Sequence, residues 1–457
     1  MVIRRILFSQ QTFFSTLLAV LIGTSAVVFG AEPGNEEPAP NPIPNPSISA
    51  PAPSSTPAPA VTSSPTPSPS PIPTPGPTPQ PLLKDFEIPN DEEYKAAVQF
   101  WIDVYTKYTL TQGVIHDEKY VDRIYETVDF HSLERKQTQK LIKETKNKWR
   151  NVLLSVHLKL KNPEKMTDEQ RLVFKMFPET EGVRRFVEAA SRKRLRFQLG
   201  QKDRFLSSLS ESGRYLPLME DIFRSEGLPS QLSRLPFVES SFNLHARSKV
   251  GASGIWQFMR TTGRLYLRMN QVVDERNDPI RSTEAAAKLL RQNYESIGNW
   301  PLAVVAYNHG RTGIMRAQQK VGSNDIREVL KEYRSRSFGF ASRNFYWELV
   351  AAIEVEKNSE KYFGKVERFP LFAYTPVFTK HYILATDLAQ GLGISIHDFT
   401  ESNPSFTTAV YEGRKYIPPG YPIRITDEWG KDKGGVIKAF DERYALIPDK
   451  LKKSNQR

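Results

Sequence analysis

The sequence predicts a mainly α-helical protein, and three observations carry that prediction. From residue 84 onward apolar side chains recur at helical spacing, as in Tyr94, Val98, Trp101 and Tyr105 at i, i+4, i+7 and i+11. Helix-start signals accompany such runs: Asn90 with Glu93, and Thr167 with Gln170, have the spacing of a capping box, in which two side chains satisfy each other's free backbone N–H groups. Strand-like sequence is confined to a stretch near the C-terminal end, Tyr416 to Ile425. No repeat of fixed period marks a solenoid.

Residues 1–30 place Arg4 and Arg5 ahead of an apolar run, Phe13 to Phe29, with Val28 and Gly30 before Ala31. This is the pattern of a secretory signal peptide, although the run is also close to the length of an uncleaved anchor. Either reading carries the remainder out of the cytoplasm, into the periplasm or cell envelope. Residues 31–83 contain 19 of the chain's 34 prolines. With Ala, Ser, Thr and Asn between them they offer too little apolar surface to offset the entropy of ordering, so the tract reads as a disordered, partly polyproline II linker. There is no cysteine, which excludes disulfides and a lipid-modified cysteine behind the leader.

Residues 84–214 read as an N-terminal helical region. Charged runs such as Lys140 to Glu144 and Arg192 to Arg196 are most simply solvated helix faces. Within residues 215–365 the stretch from Leu228 to Thr262 is the most informative. Pro229 suits a first helical turn, and from it Leu232, Leu235 and Glu239 fall at i, i+3 and i+7 on one face. Pro236 can kink that helix. A carboxyl on a buried face, with Phe237, Val238, Trp256 and Phe258 as its wall, is penalised in its charged form, so its pKa rises towards the range where it donates a proton near neutral pH. A partly buried glutamate in a salt bridge is the alternative.

Further on, Gly251 and Gly254 allow tight turns, and Gln257 is polar among bulky apolar residues. Asp274 to Pro279 reads as a polar turn. Thr283-Glu284 opens an alanine-rich helix ending near Gly298, and Trp300-Pro301 opens another whose end delivers Tyr307 and Asn308, with Gly310 to terminate it.

The string E-S-x-F-N from Glu239, the run S-x-x-G-A-x-G-x-W-Q-F-M from Ser248 to Met259, and Ala306-Tyr307-Asn308-His309-Gly310 occur in that order. Together they resemble the motif set of the lytic transglycosylases that share the goose-type lysozyme fold, over about residues 215–365. The resemblance implies a lysozyme-like helical catalytic domain acting on peptidoglycan glycan strands without a cofactor. It implies Glu239 as the single catalytic acid and base, cleaving the β-1,4 bond between N-acetylmuramic acid and N-acetylglucosamine with closure of a 1,6-anhydro ring. Ser248, Gln257, Met259, Tyr307 and Asn308 would contact the substrate. The sequence departs from the family at Ala341 to Tyr346, where a Glu-Thr pair followed by a tyrosine is usual: Ala341 replaces the acid and Phe345 the aromatic. Without a cysteine the lipoprotein anchor of the family is also missing, which leaves membrane attachment open.

Most glycosidases use two carboxylates. Asp274, Glu275, Asp278 and Glu284 lie in a turn or at a helix start, where acids serve as caps, and none repeats the apolar setting of Glu239. Two rivals stand beside the transglycosylase reading: a goose-type lysozyme that uses water, and a non-catalytic wall-binding scaffold. The net charge of +12 suits an anionic surface; nucleic acid would fit the charge equally but not an exported chain. The seven histidines form no close pair, so no metal site is legible. In residues 370–430 a helix from Leu384 to Leu392, a short helix to Phe399 and the strand to Ile425 resemble the second part of a LysM glycan-binding repeat, its Gly-Asp-Thr opening absent. A structural cap on the catalytic domain is the other reading. Residues 431–457 form a basic tail.

Overall fold

The computed structural model describes Phe86, Ile88, residues 92–426, Trp429 and residues 433–445. The leader, nearly all of the proline-rich linker region and its boundary, Asn90, and the outer parts of the C-terminal tail lie outside the described residues. The protein is mainly helical, as its periodicity predicts, and its core divides into a main cluster and two satellites.

Helix α1 (Glu92–Thr106) buries Tyr94, Trp101 and Tyr105 on one face, the periodic residues of the sequence. The region that follows corrects the expectation of an all-helical residue 84–214 segment. Strands β1 (Gln112–Asp117) and β2 (Ile124–Asp129) form an antiparallel pair. After helices α2 (Arg135–Leu158), α3 (Asp168–Lys175) and α4 (Arg185–Ala189), strand β3 (Leu195–Leu199) returns to the other edge of β1. The order is β2-β1-β3. Alternation along β1 sends Val114 into the main core and Ile115 into a satellite beneath α2. The Thr167–Gln170 capping box forms as the sequence predicts, at the start of α3.

Helices α5 (Lys202–Ser212) and α6 (Leu216–Ser225) lead to a 3-10 turn, Ser230–Arg234, and a five-residue helix α7 (Leu235–Glu239). Pro236 lies in the first turn of α7, where its missing N–H needs no partner. Leu232, Leu235 and Glu239 are all buried, although two short helices and not one continuous helix bring them there. A loop and a single turn, α8 (Arg260–Gly263), precede α9 (Pro279–Ile297) and α10 (Trp300–His309). Helix α9 starts earlier than its alanine run, because Asp278 caps it by accepting from the N–H groups of Ile280 and Arg281. Gly298, at φ 90°, ends it in the left-handed conformation. Helices α11 (Arg311–Val321), α12 (Ile326–Glu332), α13 (Phe340–Lys357) and α14 (Ser359–Phe363) complete the unit. The longest of these, α13, is buried along most of its length and packs against α1, α7 and α10.

The C-terminal segment consists of β4 (Tyr374–Phe378), α15 (Ala385–Gly391), α16 (Ile396–Ser402), α17 (Thr408–Tyr411), β5 (Pro422–Thr426) and α18 (Lys433–Ala445). β4 and β5 pair antiparallel, so the predicted strand is shorter and has a partner the sequence did not announce. Part of the expected basic tail is the helix α18, whose Ile437 and Tyr444 join the satellite core and whose Tyr444 hydroxyl donates to Asp387 (2.6 Å). Among the described residues no helix is long and apolar enough to cross a membrane.

Candidate active site

Glu239 is the last residue of α7 and is only 8 % exposed. The helix that carries it is backed by aromatic rings. Phe237 stacks with Phe205 (5.1 Å) and meets Phe242 edge-on (4.6 Å), and Phe205 in turn stacks with Tyr105 of α1 (4.8 Å). Burial pushes the Glu239 carboxyl up to about 8, and the carboxylate of Glu348, buried on α13, adds to the rise. The carboxyl therefore holds its proton at neutral pH. It opens onto a recess of about 70 Å³.

The far wall is the loop from Ser248 to Met259. Its path depends on Gly254, where φ is 75° and a Cβ would stand 1.9 Å from the carbonyl oxygen of Arg276. Arg276 grips the loop: its guanidinium donates to the carbonyls of Gly251 (2.7 Å) and Phe258 (3.1 Å) and is itself paired with Asp274 (2.7 Å). Ser240 donates to the Ile255 carbonyl (2.9 Å) and Trp256 Nε1 to Thr283 (2.8 Å), so the loop is pinned to both α7 and α9.

The structure brings four of the five expected contact residues into the recess with Glu239: Gln257, Met259, Tyr307 and Asn308. Gln257, in the left-handed region at φ 48°, donates through Nε2 to the carbonyls of Gly254 (2.7 Å) and Ala246 (3.2 Å). That commits the amide's donors to the loop and leaves its carbonyl oxygen as an acceptor. Tyr307, at the end of α10, donates to the Trp256 carbonyl (2.8 Å), and its hydroxyl pKa is raised by burial and by the nearby Glu239. Ser248 is the exception. It is not part of the recess lining, and its hydroxyl accepts from the Ala252 N–H (2.9 Å), closing the glycine turn.

At Ala341 to Tyr346, on the first turns of α13, Phe345 lies parallel to Tyr307 (6.5 Å between rings) and Ser342 donates to Asn308 (3.0 Å). Tyr346 packs away from the recess against Phe86 and Trp347. The acids considered as second carboxylates are engaged elsewhere, Asp278 and Asp274 as caps as the sequence implies. Asp274 pairs with Arg276, buried Asp278 with Arg424 (2.6 Å) and Glu284 with Arg281 (3.1 Å), while Glu275 accepts from the Arg268 N–H (2.7 Å). Glu348 is the acid sequence reasoning missed. The signal was present, since a lone glutamate in Tyr346-Trp347-Glu348-Leu349-Val350 repeats the apolar setting of Glu239. Among the described residues no three His, Cys, Asp or Glu side chains gather as metal ligands.

Residues 221–330 match the family described as Transglycosylase SLT domain. The membrane-bound lytic murein transglycosylase D of Escherichia coli strain K12 is 34 % identical over 141 residues, as is that of Escherichia coli O6:H1 strain CFT073; each alignment covers 30 % of this chain and 30 % of the relative. A putative tributyltin chloride resistance protein of Alteromonas sp. strain M-1 is 31 % identical over 105 residues, 22 % of this chain and 51 % of the relative. This chain thus spans under a third of the length of its E. coli relatives. The residues that match the SLT family contain Glu239 and all four of its neighbours in the recess.

Proposed function

We propose that this protein is a peptidoglycan lytic transglycosylase of the cell envelope. The observation that carries the reading is a single carboxyl, Glu239, kept protonated to about pH 8 at the floor of a recess lined by Gln257, Met259, Tyr307 and Asn308. Glu239 gives its proton to the glycosidic oxygen between N-acetylmuramic acid and N-acetylglucosamine, and the bond to the anomeric carbon breaks. The substrate's own acetamido oxygen covers that carbon. The Glu239 carboxylate then takes the proton of the muramic acid 6-hydroxyl as its oxygen closes on the anomeric carbon, which releases the acetamido group and restores the acid. Products are a 1,6-anhydro end and a free 4-hydroxyl.

Two observations support ring closure over hydrolysis. Inversion by water needs a carboxylate facing that water, and Glu348 is not among the residues that line the recess. An intramolecular hydroxyl beside the anomeric carbon also has a large effective concentration over water. For the C-terminal segment we favour the structural cap. It docks through the Arg424–Asp278 pair and through main-chain bonds of Asp274 N–H to Ser405 (2.7 Å) and Thr407 N–H to Val272 (2.9 Å).

Mass spectrometry of a murein digest tests the activity. The parent is expected to yield 1,6-anhydro ends and Glu239→Gln to yield none. Products heavier by one water would make the protein a lysozyme-type hydrolase, and undiminished turnover by Glu239→Gln would remove the glutamate from the mechanism.

A further inference from the structure

Cations that are partly buried in a folded protein are normally paired with an acid. At the seam between β3 and the start of α13, three are not. Arg196 on β3 lays its guanidinium over the ring of Phe340 (3.9 Å), the first residue of α13. His116, its partner in the β1–β3 register, packs on the same ring (5.7 Å). Lys146 of α2 is depressed by the charge of Arg196 and itself depresses His116, and Arg343, one turn after Phe340 on α13, lies over the ring of Phe338 (5.9 Å).

None of Arg196, Arg343 and Lys146 takes part in an ion pair among the described residues, and the Nε groups of Arg196 and Arg343 are buried with no acceptor. Burial holds all three cations below their ordinary values. The other charged groups that face them are Glu118, which attracts both arginines without reaching ion-pair distance, and Arg334, which repels Arg343. His116 donates from Nδ1 to the Asp117 carbonyl (2.9 Å) and is held neutral by burial, so it adds no charge.

The same place has a second feature. Helix α13 is 18 residues long, and its N-terminus has no side-chain cap and no acid in its first turn. Its free N–H groups and dipole favour an anion there. The position is also joined to the recess, because Ser342 in that first turn donates to Asn308, which lines the recess with Glu239.

We propose that Arg196, Arg343 and Lys146, with the N-terminus of α13, form a subsite for a carboxylate borne by the peptide stem of a murein strand whose sugars occupy the recess. This rests on the peptidoglycan reading above and extends it to the part of the substrate that is not sugar. Muramic acid carries its stem on the lactyl group, so a sugar seated in the recess projects free carboxylates beside it. The cations come mostly from the sheet region, outside residues 221–330.

The test compares the full chain with Arg196→Gln and Arg343→Gln on two substrates, murein with its stems and glycan strands stripped of stems by an amidase. Each variant is expected to lose about tenfold or more in kcat/KM on stem-bearing murein, the value of a charge-assisted hydrogen bond, and to stay within about twofold of the parent on stripped strands. Arg196→Lys, which keeps charge but not the planar fork, should recover part of the loss. Equal losses on both substrates, or no loss on either, would overturn the subsite. Binding separates this from failure of the enzymatic reading. A soluble stem-bearing muropeptide titrated into Glu239→Gln and into the two double variants should bind at least tenfold more weakly to the doubles. If the parent cleaves nothing and this difference is present, the subsite stands and the activity falls; if the doubles bind as well as Glu239→Gln, the subsite falls. Thermal unfolding guards against a merely structural role, since loss of an uncompensated cation should leave Tm unchanged or raised.

Discussion

Replacing Glu239, the proposed catalytic acid, should make the protein more stable, and by an amount that depends on pH. A carboxyl with an ordinary value of 4.5 that titrates at about 8 in the folded state holds its proton in the folded chain to a higher pH than in the unfolded one. Its contribution is therefore intact below about pH 4.5 and is lost progressively as pH rises to about 8. Each pH unit in that window costs about 1.4 kcal/mol, so forcing the charge into the recess costs on the order of 5 kcal/mol in all. Glutamine has nearly the same shape and no charge to bury. Glu239→Gln should thus match the parent at pH 4, exceed it by about 2 kcal/mol at pH 6 and by about 5 kcal/mol above pH 8. Urea unfolding of both chains at pH 4, 6 and 8.5 reads this directly. A difference that stays constant across the three, or a variant less stable than the parent at pH 8.5, would refute the account of Glu239 as a desolvated, protonated acid.

Two further outcomes follow from the same contacts. Glu348 is the second cause of the raised Glu239 pKa, so Glu348→Gln should move the high-pH limb of kcat/KM to lower pH, with activity retained in acid; a limb that does not move would make Glu348 a structural residue only. Arg424→Leu leaves Asp278 buried without its partner and should cost about 3–5 kcal/mol of stability, part of it regained in Arg424→Leu with Asp278→Asn, whereas an unchanged Tm would mean that the C-terminal segment is not tied to α9 through this pair.

What the sequence made legible was local and periodic. The apolar face of α1, the capping box of α3, the glycine stop of α9 and the delivery of Tyr307 and Asn308 by α10 each depend on residues within a few turns of one another. The recess could be read for the same reason, because Glu239, Gln257 and Met259 come from one stretch of chain. The sheet could not. β1 sits between two strands and buries residues on both faces, so it lacks the alternation by which half-exposed strands are recognised. Its partner β3 lies about eighty residues away and contains Arg196 and Phe197 in a run that reads as a solvated helix face. For Ser248 the motif fixes a position in the chain but not which way the hydroxyl turns; here it accepts from the Ala252 N–H and closes the glycine turn.

The chemistry of Glu239 depends on parts of the chain that its own motif does not contain. The aromatic packing behind α7 continues from Phe237 through Phe205 to Tyr105, and the charge that helps keep Glu239 protonated is on Glu348. Phe205, Tyr105 and Glu348 all lie outside residues 221–330. A domain cut to those residues would keep every side chain that lines the recess, but it would lose the charge of Glu348 and expose the aromatic packing behind α7. Both changes would lower the Glu239 pKa towards the ordinary carboxylate range. The flanking helices α1, α5 and α13 therefore bear on the proposed acid role of Glu239: α13 carries the charge that helps keep it protonated, and α1 and α5 carry rings packed behind α7.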